Sequence, residues 1–152
     1  MFTLSPTAYN RAMYITKEVY QQIIDSYPLV PPENGGIIGS RNGIVFQYLH
    51  DYSGQPNTIA SYQPNTEWMN QSIDRWSDAG VVFAGILHSH PQEQTALSQS
   101  DRLYITQIMR SLPESINRLF FPVVIPGKRI ISFTAVRRGN QVSIQPDAIE
   151  LV

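Results

Sequence analysis

The stretch Gly85-Ile86-Leu87-His88-Ser89-His90-Pro91, running on to Ser98-Gln99-Ser100-Asp101, decides how this chain reads. It begins as an apolar strand over residues 81–90 and ends in two imidazoles. Alternate strand residues point to the same side, so His88 and His90 project together while Ser89 points away. Pro91 then turns the chain. Asp101 falls in the first turn of a helix predicted over residues 98–111, where the positive end of the helix dipole favours a carboxylate. Two His and one carboxylate, with a fourth position left open, are a standard donor set for catalytic zinc. Ser98-x-x-Asp101 also has the form of a capping box, which is compatible with a metal site, since Ser98 can organise the helix start and still face the metal.

Outward from this segment the chain alternates between strands and helices. Thr16 caps a helix predicted over residues 17–27, with Val19, Tyr20, Ile23, Ile24 and Tyr27 on one face and Pro28 as its stop. Runs at 36–40 and 44–49 flank Asn42-Gly43, a tight-hairpin signal. Residues 51–65 are rich in Ser, Gly, Pro, Asn and Gln and read as loop, with an edge strand near 58–62. A second helix starts at Asn65 and ends at Gly80, its stripe of Trp68, Met69, Ile73 and Trp76 facing the core. Strands are expected at 119–125, 129–137 and 141–149, joined by Pro126-Gly127 and Gly139-Asn140. The expected fold class is therefore α/β or α+β: a mixed β-sheet flanked by about three helices, in a single domain over residues 1–152.

Composition narrows the function. The formal charge of −1 gives no surplus of cations for phosphates, which argues against a nucleic-acid partner. Charged residues are 15% of the chain against a usual value of about 25%, so Gln, Ser and Asn must cover much of the surface. Cysteine is absent, which removes disulfides, thiolate nucleophiles, Cys-based zinc sites and iron–sulfur clusters. Any metal site must use His, Asp and Glu, and two of the three histidines lie in one His-x-His. The first residues lack a signal-peptide pattern, and no apolar run approaches the roughly 20 residues of a membrane span. The expected setting is the cytoplasm, with no membrane partner.

The segment resembles the JAMM motif of the MPN-domain metalloprotease family: an upstream Glu, then His-x-His-Pro, six residues, and Ser-x-x-Asp. His88-Ser89-His90-Pro91, residues 92–97 and Ser98-Gln99-Ser100-Asp101 fit it without insertion. Pro31-Pro32-Glu33-Asn34-Gly35-Gly36 resembles the family's Pro-x-Glu-x-Cys-Gly, with Gly35 where many relatives have Cys. The likeness extends over roughly residues 10–137 and includes Gly85. It implies an MPN/cytidine-deaminase-like three-layer arrangement. It further implies one zinc ion per chain on His88, His90 and Asp101, Glu33 as general base, and Ser98 as the group that steadies the developing oxyanion. The implied reaction is hydrolysis of an amide or isopeptide bond. Zinc lowers the pKa of bound water to about 7, within reach of a carboxylate base.

Other residues take plainer roles. Glu93 reads as a solvated loop residue, His50 as structural or surface, and Lys128-Arg129 with Arg137-Arg138 as hairpin charges. Rival metal hydrolases on (β/α)₈ barrels need at least about 200 residues and further ligands. The helical His-Glu-x-x-His of zincins, the Cys-bearing deaminase signature and a phosphate loop are all missing. The rival from a different class is a non-catalytic MPN scaffold, although such members typically lose ligands that this chain retains. The substrates that the resemblance implies are a ubiquitin-like or sulfur-carrier protein cut at its C-terminal tail, or a peptide of phage-tail or cell-wall type. Residues 51–62, from Asp51 to Tyr62, are the candidate edge or lid for a substrate strand. The sequence sets no oligomeric state.

Overall fold

A computed structural model describes residues 12–29, 33–52, 62, 64–91 and 93–152. In chain order the elements are β1 (Ala12–Ile15), α1 (Lys17–Asp25), β2 (Gly35–Arg41), β3 (Ile44–His50), α2 (Thr66–Asp78), β4 (Val82–Ser89), α3 (Gln99–Ser111), β5 (Arg118–Phe120), β6 (Val123–Ile125), β7 (Arg129–Arg138) and β8 (Gln141–Leu151).

Local chemistry sets the helix starts. The side chains of Thr16, Asn65 and Ser98 accept from the backbone N–H groups of Val19, Trp68 and Asp101, satisfying donors that the first turn of a helix leaves free. The first helix stops at Asp25, two residues short of the sequence expectation. Its last turn tightens through Ser26 N–H to the Ile23 carbonyl, and Tyr27 turns inward to meet Tyr48, whose hydroxyl donates to it at 2.7 Å. The run at 119–125 is not one strand. It breaks at Phe121-Pro122 into β5 and β6, and Pro122 has no N–H to continue a ladder.

The three-layer arrangement expected from the resemblance is not the architecture. The sheet runs β2-β3-β1-β8-β7 to β5 and β6, then β4, and β4 pairs antiparallel with β2, so the ring closes. With the interrupted β5/β6 counted as one position, the described residues form a closed seven-strand barrel carrying three helices, instead of a mixed sheet between two helical layers. Closure depends on β1, only four residues long, which pairs parallel with both β3 and β8. Nothing in the sequence of those four residues announces a strand with two parallel neighbours, and without it β3 and β8 read as sheet edges.

Two apolar clusters lie on the two sides of the strands. Met13, Ile15, Ile38, Val45, Leu87, Val124 and Ile130 come from strands all round the ring and form the interior, closed by Val19, Ile23 and Ile24 of α1. Ile37, Ile86, Leu119, Val123, Phe133 and Ala135 face outward and are covered by Met69 and Trp76 of α2 and by Ile105 and Met109 of α3. Trp68 and Ile73 pack at the margin of that outer cluster, so the expected stripe is a core face. Among the described residues no helix is long and apolar enough to cross a membrane.

Candidate metal centre

The candidate centre forms where the end of β4 meets the start of α3 on the outer side of the barrel. Gly35 of β2 pairs with His88 of β4. Beyond that pair the two chains stay zipped: Ser89 N–H donates to the Asn34 carbonyl at 2.8 Å, and Asn34 N–H donates to Ser89 Oγ at 3.0 Å. Ser89, between the two histidines and wholly buried, thereby brings Glu33 beside His90. From the other side, the capping box fixes Asp101: Ser98 N–H donates to Asp101 Oδ2 at 2.9 Å and Asp101 N–H to Ser98 Oγ at 3.0 Å.

Glu33, His88, His90 and Asp101 therefore converge, each with one ligand atom within 4.8 Å of the others. His88 Nε2 and His90 Nε2 are 2.9 Å apart, and they stand 3.4 Å from Asp101 Oδ1 and 3.2 Å from Asp101 Oδ2 respectively. Two ligands of one tetrahedral zinc stand roughly 3.3 Å apart, given metal–ligand bonds of about 2.0–2.1 Å. The two imidazoles and Asp101 thus have the spacing and the nitrogen and oxygen chemistry that zinc accepts. Glu33 is further out, its Oε2 4.0 Å from His90 Nε2. His90 Nδ1 lies 2.7 Å from the Gln94 carbonyl oxygen. A carbonyl only accepts, so Nδ1 carries a proton, and in the neutral ring Nε2 is left with a lone pair turned into the cluster, while in the charged ring it donates to Asp101.

Burial and charge act on these groups in different directions. Burial alone would raise the pKa of Asp101, but hydrogen bonds with His88 and His90 outweigh it and hold the carboxyl well below the usual carboxylate range. For His90, burial opposes the charged form, and the Asp101 hydrogen bond with that to Gln94 raises its pKa all the same. Glu33 is raised, because burial exceeds the opposing pull of His88 and His90.

The remaining expected residues fall in place as follows. Ser98 joins the centre through Asp101, its Oγ accepting the Asp101 N–H, and it is half-buried. His50 stands apart, with Nδ1 2.8 Å from the Tyr48 hydroxyl and its ring against Tyr52. Glu93 is exposed and ion-pairs with Lys128. Of the candidate lid, residues 53–61 lie outside the described residues, and so does most of the edge strand expected at 58–62. The roles of three contributors escape sequence reasoning: Ser89, Asp51 and Tyr62. Tyr62 N–H donates to Glu33 Oε1 at 3.4 Å, and its hydroxyl donates to Asp51 Oδ2 at 2.8 Å. None of the three sits at a spacing that marks it.

No protein-family model matches the chain, and no curated protein matches it either. Among solved structures it is similar to the solution structure of a protein from Desulfitobacterium hafniense, with a TM-score of 0.64 and 14% identity, covering 91% of this chain and 92% of that one. It is also similar to the solution structure of a protein from Salinibacter ruber, with a TM-score of 0.52 and 15% identity, covering 92% of each chain. At such identities the likeness extends to the fold alone.

Proposed function

We propose that this chain is a zinc-dependent hydrolase of amide or isopeptide bonds, acting on the C-terminal tail of a ubiquitin-like or sulfur-carrier protein in the cytoplasm. The observation that carries it is the convergence of Glu33, His88, His90 and Asp101, which come from three separate segments and match the residues singled out by the resemblance to JAMM metalloproteases. A site, not a fold, is what supports an activity, so the closed barrel does not weaken the assignment.

A zinc ion held by His88, His90 and Asp101 supplies Lewis acidity at neutral pH. The other steps belong to the protein. Glu33 takes a proton from the attacking water and delivers it to the leaving nitrogen, and burial shifts its pKa upward, toward the range where a base works near neutrality. Ser98 accepts from Asp101 with its oxygen, which leaves its own O–H free to donate to the oxygen that gains charge. His90 is kept in its metal-binding tautomer by Gln94.

Elemental analysis of the purified protein should give about one zinc per chain, and His88→Ala, His90→Ala and Asp101→Ala should each lose it. Glu33→Gln should keep the zinc and lower cleavage of a ubiquitin-like fusion after Gly-Gly by about 10²–10⁴-fold, with a chelator-treated sample as the control. Unchanged zinc in all three alanine variants rules out the centre. Undiminished turnover in Glu33→Gln removes Glu33 as the base, and a zinc-loaded chain that cleaves neither fusions nor peptides is a scaffold.

A further inference from the structure

We infer that Tyr62 and Asp51 form a clasp that holds Glu33 outside the coordination shell of the metal and so keeps the centre's fourth position open. The inference rests on the metal assignment above and concerns what prevents Glu33 from becoming a fourth ligand. The three donors His88, His90 and Asp101 lie 2.9–3.4 Å apart, which is ligand spacing, whereas Glu33 Oε2 stands 4.0 Å from the nearest imidazole nitrogen. A half-buried carboxylate this close to a divalent cation is drawn onto it by charge, and zinc takes such a fourth oxygen readily. A closed four-ligand site is structural, and an open one is catalytic. Something must restrain Glu33.

The restraint is visible at its other oxygen. Oε1 accepts the backbone N–H of Tyr62, at a length of 3.4 Å that is long for a hydrogen bond and of the kind that tightens once a site is loaded. Tyr62 is itself fixed at two further points. Its hydroxyl donates to Asp51 Oδ2 at 2.8 Å, an oxygen that also accepts Asn65 N–H at 3.1 Å at the head of α2. Asp51 is only 3% exposed, and its own N–H donates to the Gly35 carbonyl at 2.9 Å, tying the clasp to the strand that follows Glu33. The Tyr62 ring lies directly over Gly35, where a Cβ would stand 2.3 Å from ring carbon Cε2. Any side chain at position 35 would expel the ring. A Cβ there would also stand 2.6 Å from the Leu87 carbonyl oxygen, so Gly35 admits both the Tyr62 ring and the neighbouring β4 backbone.

Tyr62 and Asp51 are positioning residues, and a double-mutant cycle on zinc affinity, measured by competition with a chromophoric chelator, separates that role from simple packing. In Tyr62→Phe and Asp51→Asn, Glu33 is released toward the ion. Zinc should bind about tenfold tighter, within the range by which residues behind metal ligands act, while kcat falls at least as much and KM stays within twofold. In a Glu33→Gln background the same two substitutions should leave zinc affinity unchanged. Affinity that is unchanged or weaker in the single variants overturns the clasp, and so does tightening that persists without Glu33. A lowered Tm with unaltered affinity and kcat reduces Tyr62 to packing. Tyr62→Phe removes a single oxygen and retains the ring, so it decides the matter if Asp51→Asn does not fold. A wild-type chain that binds no zinc overturns the proposed function itself, whereas one that binds zinc and shows no cycle overturns only the clasp.

Discussion

The two faces of β4 lead into two regions held together by opposite means. Leu87 points into the barrel, where Met13, Ile15, Ile38, Val124 and the α1 residues bury apolar surface and ask nothing of any ligand. Ile86 and His88 point outward, and past Ile86 the burial turns polar, with two imidazoles and two carboxylates converging within a few ångströms. Removing a large apolar side chain from water contributes about 1.5–3 kcal/mol, whereas burial of the Glu33 carboxylate costs more than its attraction to His88 and His90 returns. The interior therefore stabilises the chain by itself. The centre draws its full stability only from what it binds.

The largest expected effect tests whether the two faces are independent. Leu87→Ala removes a fully buried side chain from the interior and should destabilise by about 2–5 kcal/mol, a fall in Tm of roughly 5–20 °C. Zinc bound per folded chain should stay the same. If the folded variant loses zinc, packing inside the barrel sets the ligand geometry and the contrast fails.

The centre should respond in the reverse sense. Zinc at a hundred times its Kd should stabilise the wild type by about 2.7 kcal/mol, seen as a rise in Tm of roughly 5–10 °C. His90→Ala should abolish that rise and leave a melting curve indifferent to zinc. The gain should shrink as pH falls, because a protonated imidazole cannot ligate. The pKa of His90 is raised in the metal-free protein, so proton competition begins above the ordinary value of about 6.5. Zinc stabilisation as large at pH 5.5 as at pH 8 contradicts the ligand assignment.

The same contrast explains what the sequence discloses. The caps at Thr16, Asn65 and Ser98 and the Asn42-Gly43 turn are local, each settled within four residues, and each stands where the pattern puts it. His88, His90 and Asp101 are nearly as local, because a strand's alternation and a helix's first turn place them. Barrel closure is not local. It depends on β1 meeting Ala148–Leu151 of β8, across most of the chain, and on β2 meeting β4, across about a third of it, pairings that no short-range pattern encodes. The break between β5 and β6 was missed, because the strand expected over 119–125 ran through Pro122, which cannot donate to a neighbouring strand. Glu33 was legible only through resemblance, and Asp51 and Tyr62 only as the bounds of a candidate edge or lid, because their value lies in contacts with residues from other segments.

Two aspartates take the contrast to its finest scale. Asp101 is buried with imidazole partners and has its pKa driven down, whereas Asp147 on β8 is half-buried and has its pKa pushed up to about 6 by burial, against a weaker opposing pull from Arg118. Asp147 Oδ2 has no hydrogen-bond partner among the described residues, and neither has Ser132 Oγ on the paired position of β7. A carboxyl that titrates near 6 folded and near 3.9 unfolded binds its proton more tightly in the folded state. Its contribution to stability is then full below about pH 4 and is lost as pH rises through 6. Asp147→Asn removes the charge but not the shape, so it should stabilise at pH 8 and give no gain at pH 4. The two-unit shift sets an upper bound of about 2.7 kcal/mol, which solvent screening at a half-exposed side chain reduces to about 1 kcal/mol, or roughly 2–4 °C in Tm. Thermal melts of the two proteins across that pH range decide it: a difference that does not vary with pH shows that the cost at Asp147 is one of packing and not of charge. The ionised carboxylate is tolerated at Asp101 because partners await it, and at Asp147 it is a residual strain that the apolar interior is stable enough to carry.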